Sequence, residues 1–197
     1  MASGLRALKN GKVGWFTMSG KYYKMTIAGC ERELPICPIN DHLDIAGFIM
    51  LGDVELTEKT AAALLKRCPE HDVVVTAETK GIPLCYEMAR QGCRKYVVAR
   101  KSVKAYMRNP IHVEVKSITT DHMQRLYLSE EDEKVLRGRR VLIVDDVIST
   151  GESLAAMEKL VRRYGGEIVG RACVLAEGDA KDRTDILYLN PLPLFFK

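Results

Sequence analysis

The sequence predicts an α/β fold: an open, mainly parallel sheet with helices on both faces, plus a small β-rich region at the N-terminus. Three observations predict it. Short apolar runs rich in β-branched residues stand at 73–76, 95–99, 141–144 and 168–176, as strands buried on both faces require. Segments with apolar residues at helical spacing fall between them, as the crossovers of a parallel sheet do. Residues 12–36 alternate only weakly, and the turns at Ser19-Gly20 and Ala28-Gly29 cut them into short strands.

A length of 197 residues suits one domain with a small subdomain, divided here as a β-rich region over 1–40 and a core over 41–197. The apolar fraction of 47% and charged fraction of 28% are those of a soluble globular protein. No apolar run approaches the roughly 18 residues of a membrane span, and Met1 to Arg6 lacks a signal-peptide core. A cytoplasmic location is therefore expected. The formal charge of +4 permits an anionic ligand without demanding a nucleic acid. Six cysteines (Cys30, Cys37, Cys68, Cys85, Cys93, Cys173) form no C-x-x-C pair and no zinc spacing with the four dispersed histidines. They read as reduced thiols that fill space like small hydrophobes.

In chain order, Trp15, Phe16, Tyr22, Tyr23, Met25 and Ile27 lie in the weakly alternating strands, and Pro35 and Pro38 flank an extended connection. Residues 41–51 read as a loop leading into apolar core. Residues 55–67 form an amphipathic helix with Leu56, Ala61, Leu64 and Leu65 inward. The strand at 73–76 runs into Ala77-Glu78-Thr79-Lys80-Gly81 and a helix from Ile82 to Arg90, a strand–turn–helix unit whose turn can hold an anion. After the strand at 95–99 come Arg100, Lys101 and Lys104, part of seven basic residues between 90 and 108. A solvated basic face, a nucleic-acid patch and an anion site are all compatible with them. Residues 105–130 are polar, with Val113-Glu114-Val115 and Leu126-Tyr127-Leu128 able to pair as a hairpin. Beyond residue 176 a turn at 177–180, a short strand at 186–189 and an apolar tail at 191–196 close the chain. Neither GxGxxG nor G-x-x-x-x-G-K occurs, which argues against dinucleotide and P-loop nucleotide binding.

The most informative stretch is Val141-Leu142-Ile143-Val144-Asp145-Asp146-Val147-Ile148-Ser149-Thr150-Gly151-Glu152-Ser153. A buried strand is expected to end at two carboxylates, followed by a turn and a helix carrying Leu154, Met157, Leu160, Val161 and Tyr164, stopped by Gly165-Gly166. Ligands of open parallel sheets bind outside the carboxyl ends of strands. The N–H groups of Ile148 to Gly151 are expected to be orphaned in the first helical turn, with the helix dipole and the Ser149 and Thr150 hydroxyls adding to an anion cradle. Asp145 and Asp146 would repel a phosphate placed on them but would accept hydrogen bonds from vicinal hydroxyls, or approach a metal. A phosphate beside a diol is a ribose phosphate.

This stretch resembles the thirteen-residue signature of type I phosphoribosyltransferases, which bind 5-phosphoribosyl 1-pyrophosphate (PRPP). The resemblance covers about residues 70–176 and is nearest to the adenine enzymes and their PRPP-binding relatives. It implies the type I phosphoribosyltransferase fold and transfer of the phosphoribosyl group to a free purine, adenine first, in base salvage. It implies that Asp145 and Asp146 bind the ribose, that Val147, Ile148, Ser149, Thr150, Gly151, Glu152 and Ser153 bind the 5′-phosphate, and that Glu78, Thr79, Lys80, Gly81, Arg100, Lys101 and Lys104 take the pyrophosphate. By position it implies an acid near the base at Asp121, base contacts at Leu43, Asp44 and Ile45, a base-selecting hood in the N-terminal strands, Mg²⁺ carried by PRPP, and a homodimer. The segment before the strand at 73–76 departs from the adenine enzymes, which leaves open xanthine, hypoxanthine-guanine or pyrimidine enzymes. A PRPP-binding regulator of the purine-repressor type is a further alternative, for which the strand-rich N-terminal segment is short. Receiver domains also carry an apolar run and an Asp pair, but too few strands follow residue 146 here to build one.

Overall fold

The computed structural model describes residues 4–7, 13–16, 20–116 and 123–197. Its strands are β1 (Gly4–Ala7), β2 (Val13–Phe16), β3 (Tyr22–Ile27), β4 (Cys30–Asn40), β5 (Leu43–Ala46), β6 (Val73–Ala77), β7 (Tyr96–Ala99), β8 (Ile111–Lys116), β9 (Met123–Leu128), β10 (Arg140–Ile148), β11 (Glu167–Glu177), β12 (Leu187–Leu192) and β13 (Leu194–Phe196). Its helices are α1 (Val54–Leu65), α2 (Ile82–Gln91), α3 (Glu130–Leu136) and α4 (Glu152–Arg163).

The central sheet has five strands in the order β12-β11-β10-β6-β7, and each neighbouring pair is parallel. Side chains alternate across it, so consecutive residues enter two different cores. Val73, Val75, Val141 and Ile143 pack with Leu154, Met157, Leu160 and Tyr164 of α4 and with Leu126 and Leu128 of β9. Val74, Leu142 and Val144 pack on the other face with Leu56 and Leu64 of α1 and Leu84 and Met88 of α2. Both faces are covered, which is why these strands are continuously apolar.

The N-terminal strands form a second, antiparallel sheet in the order β13-β5-β4-β3, with β1 and β2 paired separately. Ala28 and Gly29, at φ 48° and 81°, make the turn between β3 and β4. The segment expected as a loop at 41–51 contains β5, which is held between β4 and β13. The expected apolar tail is the end of β12 plus β13, so the small sheet draws on both ends of the described chain. Pro35 and Pro38 lie within β4 itself, with a register shift between Pro38 and Asn40. Arg32 of β4 forks onto Asp53, at 2.6 and 3.0 Å, and reaches Glu55 at 3.0 Å. Asp53 also caps α1 by accepting from Leu56 N, so one carboxylate joins the small sheet to the core.

The predicted hairpin is present as β8 and β9; β8 is longer at both ends than the sequence indicates, and β9 at its start only. It reaches the central sheet where Arg100 and Tyr127 exchange backbone hydrogen bonds of 2.9 and 2.8 Å. Helix α3 was not expected. It starts at a capping box in which the Ser129 backbone N–H and hydroxyl both donate to Asp132 Oδ2, at 2.7 Å each.

Candidate functional site

Two strand–loop–helix units lie side by side. β6 leads through 78–81 into α2, and β10 leads through 149–151 into α4; the two strands are parallel neighbours with Val141 opposite Val73 and Ile143 opposite Val75. Their loops therefore leave the same edge of the sheet. They touch at Gly81, where a Cβ would run into Thr76 Oγ1 and come within 2.9 Å of Asp145 Oδ1. Only a glycine lets the first loop lie this close to the second.

The acid pair does not end its strand, as the sequence suggested. β10 continues to Ile148 because β11 is long enough to pair with it throughout, with Asp145 opposite Cys173 and Ile148 opposite Ala176. The two acids stay in contact: the Asp146 N–H donates to Asp145 Oδ1 at 3.0 Å. Asp145 lines a cavity of about 140 Å³ with Val147, Ile148, Ser149, Thr150, Gly151, Glu152, Ser153 and Leu154. Asp146 is buried, with 3% of its surface exposed, and its Oδ2 lies 2.9 Å from Lys80 Nζ. Burial pushes the Asp145 carboxyl well above the usual carboxylate range, and the neighbouring Asp146 carboxylate adds to the shift.

The cradle is shorter than expected. Ile148 belongs to the strand, so the loop proper is Ser149 to Gly151, with Gly151 at φ 80° as the N-cap of α4. One neighbour was not anticipated. Arg183, held by Asp185 through bonds of 2.9 and 2.8 Å, sets its Nη1 against Gly151, where a Cβ would collide with it. No local motif marks Arg183; the 3₁₀ turn at Gly178–Asp182 brings it there from beyond the whole of α4 and β11.

The basic loop gathers around one carboxylate. Glu78 accepts from Arg100 Nη1 at 2.9 Å and from Lys101 N at 2.8 Å. Burial works to raise the Glu78 carboxyl, but the Lys101 N–H, the Arg100 guanidinium and the charge of Lys104 outweigh it, and the net shift is downward. Lys104 Nζ donates to Ser102 Oγ at 2.8 Å. The structure thus joins Glu78, Arg100 and Lys101 into one group and Lys80 and Asp146 into another, with Gly81 against Asp145. The Glu78–Thr79 peptide is cis.

The remaining expected residues are elsewhere. Leu43, Asp44 and Ile45 are on β5, where Asp44 pairs with Lys197 at 2.8 Å and lines a separate concavity with Tyr22, Tyr23 and Phe195. Asp121 lies outside the described residues.

The pattern of the phosphoribosyl transferase domain family matches residues 50–190. The chain belongs to that family. The matched segment holds all five parallel strands apart from the end of β12, and leaves out β1 to β5 and β13. Among phosphoribosyltransferases of known designation, the hypoxanthine/guanine enzyme of Methanococcus voltae is 36% identical over 143 residues, 71% of each chain. That of Methanocaldococcus vulcanius is 37% identical over 160 residues, 77% of this chain and 84% of the relative. In fold the chain is similar to the adenine phosphoribosyltransferase of Thermoanaerobacter pseudethanolicus, with TM-score 0.67, 21% identity, and coverage of 80% of this chain and 95% of that one. The type I phosphoribosyltransferase fold expected from the signature is therefore the fold found. Among the described residues no helix is long and apolar enough to cross a membrane.

Proposed function

We propose that this phosphoribosyltransferase transfers the phosphoribosyl group of PRPP to a free purine, releasing pyrophosphate and a nucleoside monophosphate. The observation that carries the proposal is the acid pair held between two loops, with Asp145 lining the 149–151 cradle and Asp146 against Lys80. A ribose phosphate meets both needs: its 5′-phosphate sits against the loop 149–151 and the start of α4, within the 147–153 stretch, and its 2′- and 3′-hydroxyls donate to Asp145 and Asp146. The pyrophosphate then falls on the side of Lys80, Arg100, Lys101 and Lys104, with Glu78, Thr79 and Gly81 shaping the loop. As the ring nitrogen of the base displaces it at C1, charge grows on the leaving group, and these cations stabilise that charge.

Mg²⁺ fits the donor set as a companion of the substrate. Among the described residues no three His, Cys, Asp or Glu side chains converge to hold a metal. Asp146 Oδ2 is buried with no hydrogen bond of good geometry, only the nearby ammonium. A cation that keeps its waters and travels on phosphates needs no more than one or two such carboxylates. It would supply charge neutralisation at the pyrophosphate.

Adenine is the base the signature resemblance implies, with Leu43 to Ile45 and Asp121 as its contacts and a homodimer as the working assembly. The relatives from Methanococcus voltae and Methanocaldococcus vulcanius favour a second reading, a 6-oxopurine such as hypoxanthine or guanine. Incubation with PRPP, Mg²⁺ and single bases decides between them. AMP alone supports adenine; IMP or GMP supports the second reading; no nucleotide from any base overturns the assignment.

A further inference from the structure

Strand β6 reads Val-Val-Val-Thr-Ala, and all five residues are buried. Four are apolar, as a strand covered on both faces requires. The exception is Thr76, which has no exposed surface and whose Oγ1 has no hydrogen-bond partner among the described residues. A hydroxyl enclosed in this way costs stability, and valine would fill the same space without that cost. An orphaned buried group in a folded chain calls for an explanation.

Its surroundings supply one. Thr76 Oγ1 packs against Gly81, the residue before α2. A Cβ on Gly81 would collide with Thr76 Oγ1, and its next neighbours would be Asp145 Oδ1 at 2.9 Å and Asp145 Cα at 3.4 Å. The hydroxyl and the carboxylate oxygen therefore border one small space. Parallel strands in register bring them there, with Val75 of β6 opposite Ile143 of β10. Asp145 Oδ1 already accepts from the Asp146 N–H. A carboxylate oxygen can accept more than one hydrogen bond, and a buried carboxylate beside another acid depends on such donors to hold its charge.

We propose that Thr76 is a positioning residue for the ribose contact. Its hydroxyl donates to Asp145 Oδ1 from the enclosed side, while a ribose hydroxyl donates to the same carboxylate from the cavity lined by residues 147–154. The bond is absent from the structure and forms as the ribose turns the carboxyl. The inference rests on the reading of Asp145 as a ribose acceptor. It makes the Thr76 hydroxyl a group that ligand binding uses and that folding alone would discard.

The test compares Thr76→Val and Thr76→Ser with the parent in two measurements. One is the melting temperature. The other is the Kd of ribose 5-phosphate by titration calorimetry, with inorganic pyrophosphate as the control ligand. Thr76→Val keeps the shape and loses the hydroxyl; it should melt higher than the parent and bind ribose 5-phosphate about tenfold more weakly. Thr76→Ser keeps the hydroxyl and loses the methyl; it should melt lower and bind like the parent. Pyrophosphate should bind all three proteins alike. Opposite signs in the two measurements mark a positioning role, since a packing role would lower affinity and stability together. A Thr76→Val protein that melts below the parent, binds ribose 5-phosphate as tightly, or loses pyrophosphate equally overturns the inference and leaves the ribose reading standing. A parent protein that does not bind ribose 5-phosphate overturns both.

Discussion

Lys80 Nζ and Asp146 Oδ2 are 2.9 Å apart, the ammonium half-exposed and the carboxylate buried. Lys80 belongs to the loop after β6 and Asp146 to β10, and in the proposed function they serve different parts of PRPP. A pyrophosphate that draws Lys80 toward itself must therefore leave Asp146 to another donor, and a ribose hydroxyl is the donor the substrate supplies. In the proposed function, binding of the two halves of the substrate is coupled through this contact.

Asp146→Asn keeps the shape and removes the charge, and turnover should fall by about 10²-fold or more. Lys80→Met strands a buried carboxylate and should cost about 1–2 kcal/mol, less than a fully buried pair because water already reaches the ammonium. The double variant should regain that stability without regaining activity. Urea unfolding and steady-state kinetics on the three proteins check this; a Lys80→Met protein as stable as its parent would show that the pair contributes nothing.

Asp145 has the opposite sign to an ordinary salt-bridged acid. Its carboxyl is raised in the folded chain by burial and by Asp146. The unfolded chain therefore loses this proton first, and the group costs stability as pH rises from about 4. Asp145→Asn should be more stable than the parent at pH 7 by about 1 kcal/mol or more, roughly 2–4 °C for a chain of this size. The advantage should fade below pH 4, and activity should drop. Melting curves from pH 3 to 8 test it.

Gly151 combines a left-handed backbone with a guanidinium against its missing side chain. Gly151→Ala should cost about 1–2 kcal/mol from the backbone alone and raise KM for PRPP. Adding Arg183→Ala removes the collision but not the strain. Recovery of KM without recovery of melting temperature would separate the two contributions.

Arg140 donates its backbone N–H and its guanidinium to Asp72, at 2.9 Å each, and holds that carboxyl down to about 2. A depressed acid stabilises above its unfolded value and loses that contribution as pH falls toward the folded one. Asp72→Asn should lower the melting temperature at pH 6, and the two curves should converge near pH 2.

Much of this was readable in advance, for identifiable reasons. Val73 to Val75 and Val141 to Val144 announce themselves because burial on both faces leaves no room for polar residues. Asp145, Asp146, Thr150 and Gly151 form a dense local pattern. β5 and β13 did not stand out, because such short strands carry too little periodicity and their pairing joins opposite ends of the chain. Ser129 and Asp132 offered the signal for α3, a capping box, but the helix behind it is only seven residues long and mostly acidic. Gly151 and Arg183 are distant in sequence and meet only because the neighbouring strands β10 and β11 bring their ends together.

The dependence of β5 on β13 sets an order on biosynthesis. All five parallel strands can emerge from the ribosome before Leu194 does, yet the N-terminal lobe still lacks an edge until Leu194–Phe196 arrive to close it. That lobe should thus be the last region to mature, and a nascent chain stalled just short of Leu194 would display β5 as an open, sticky border.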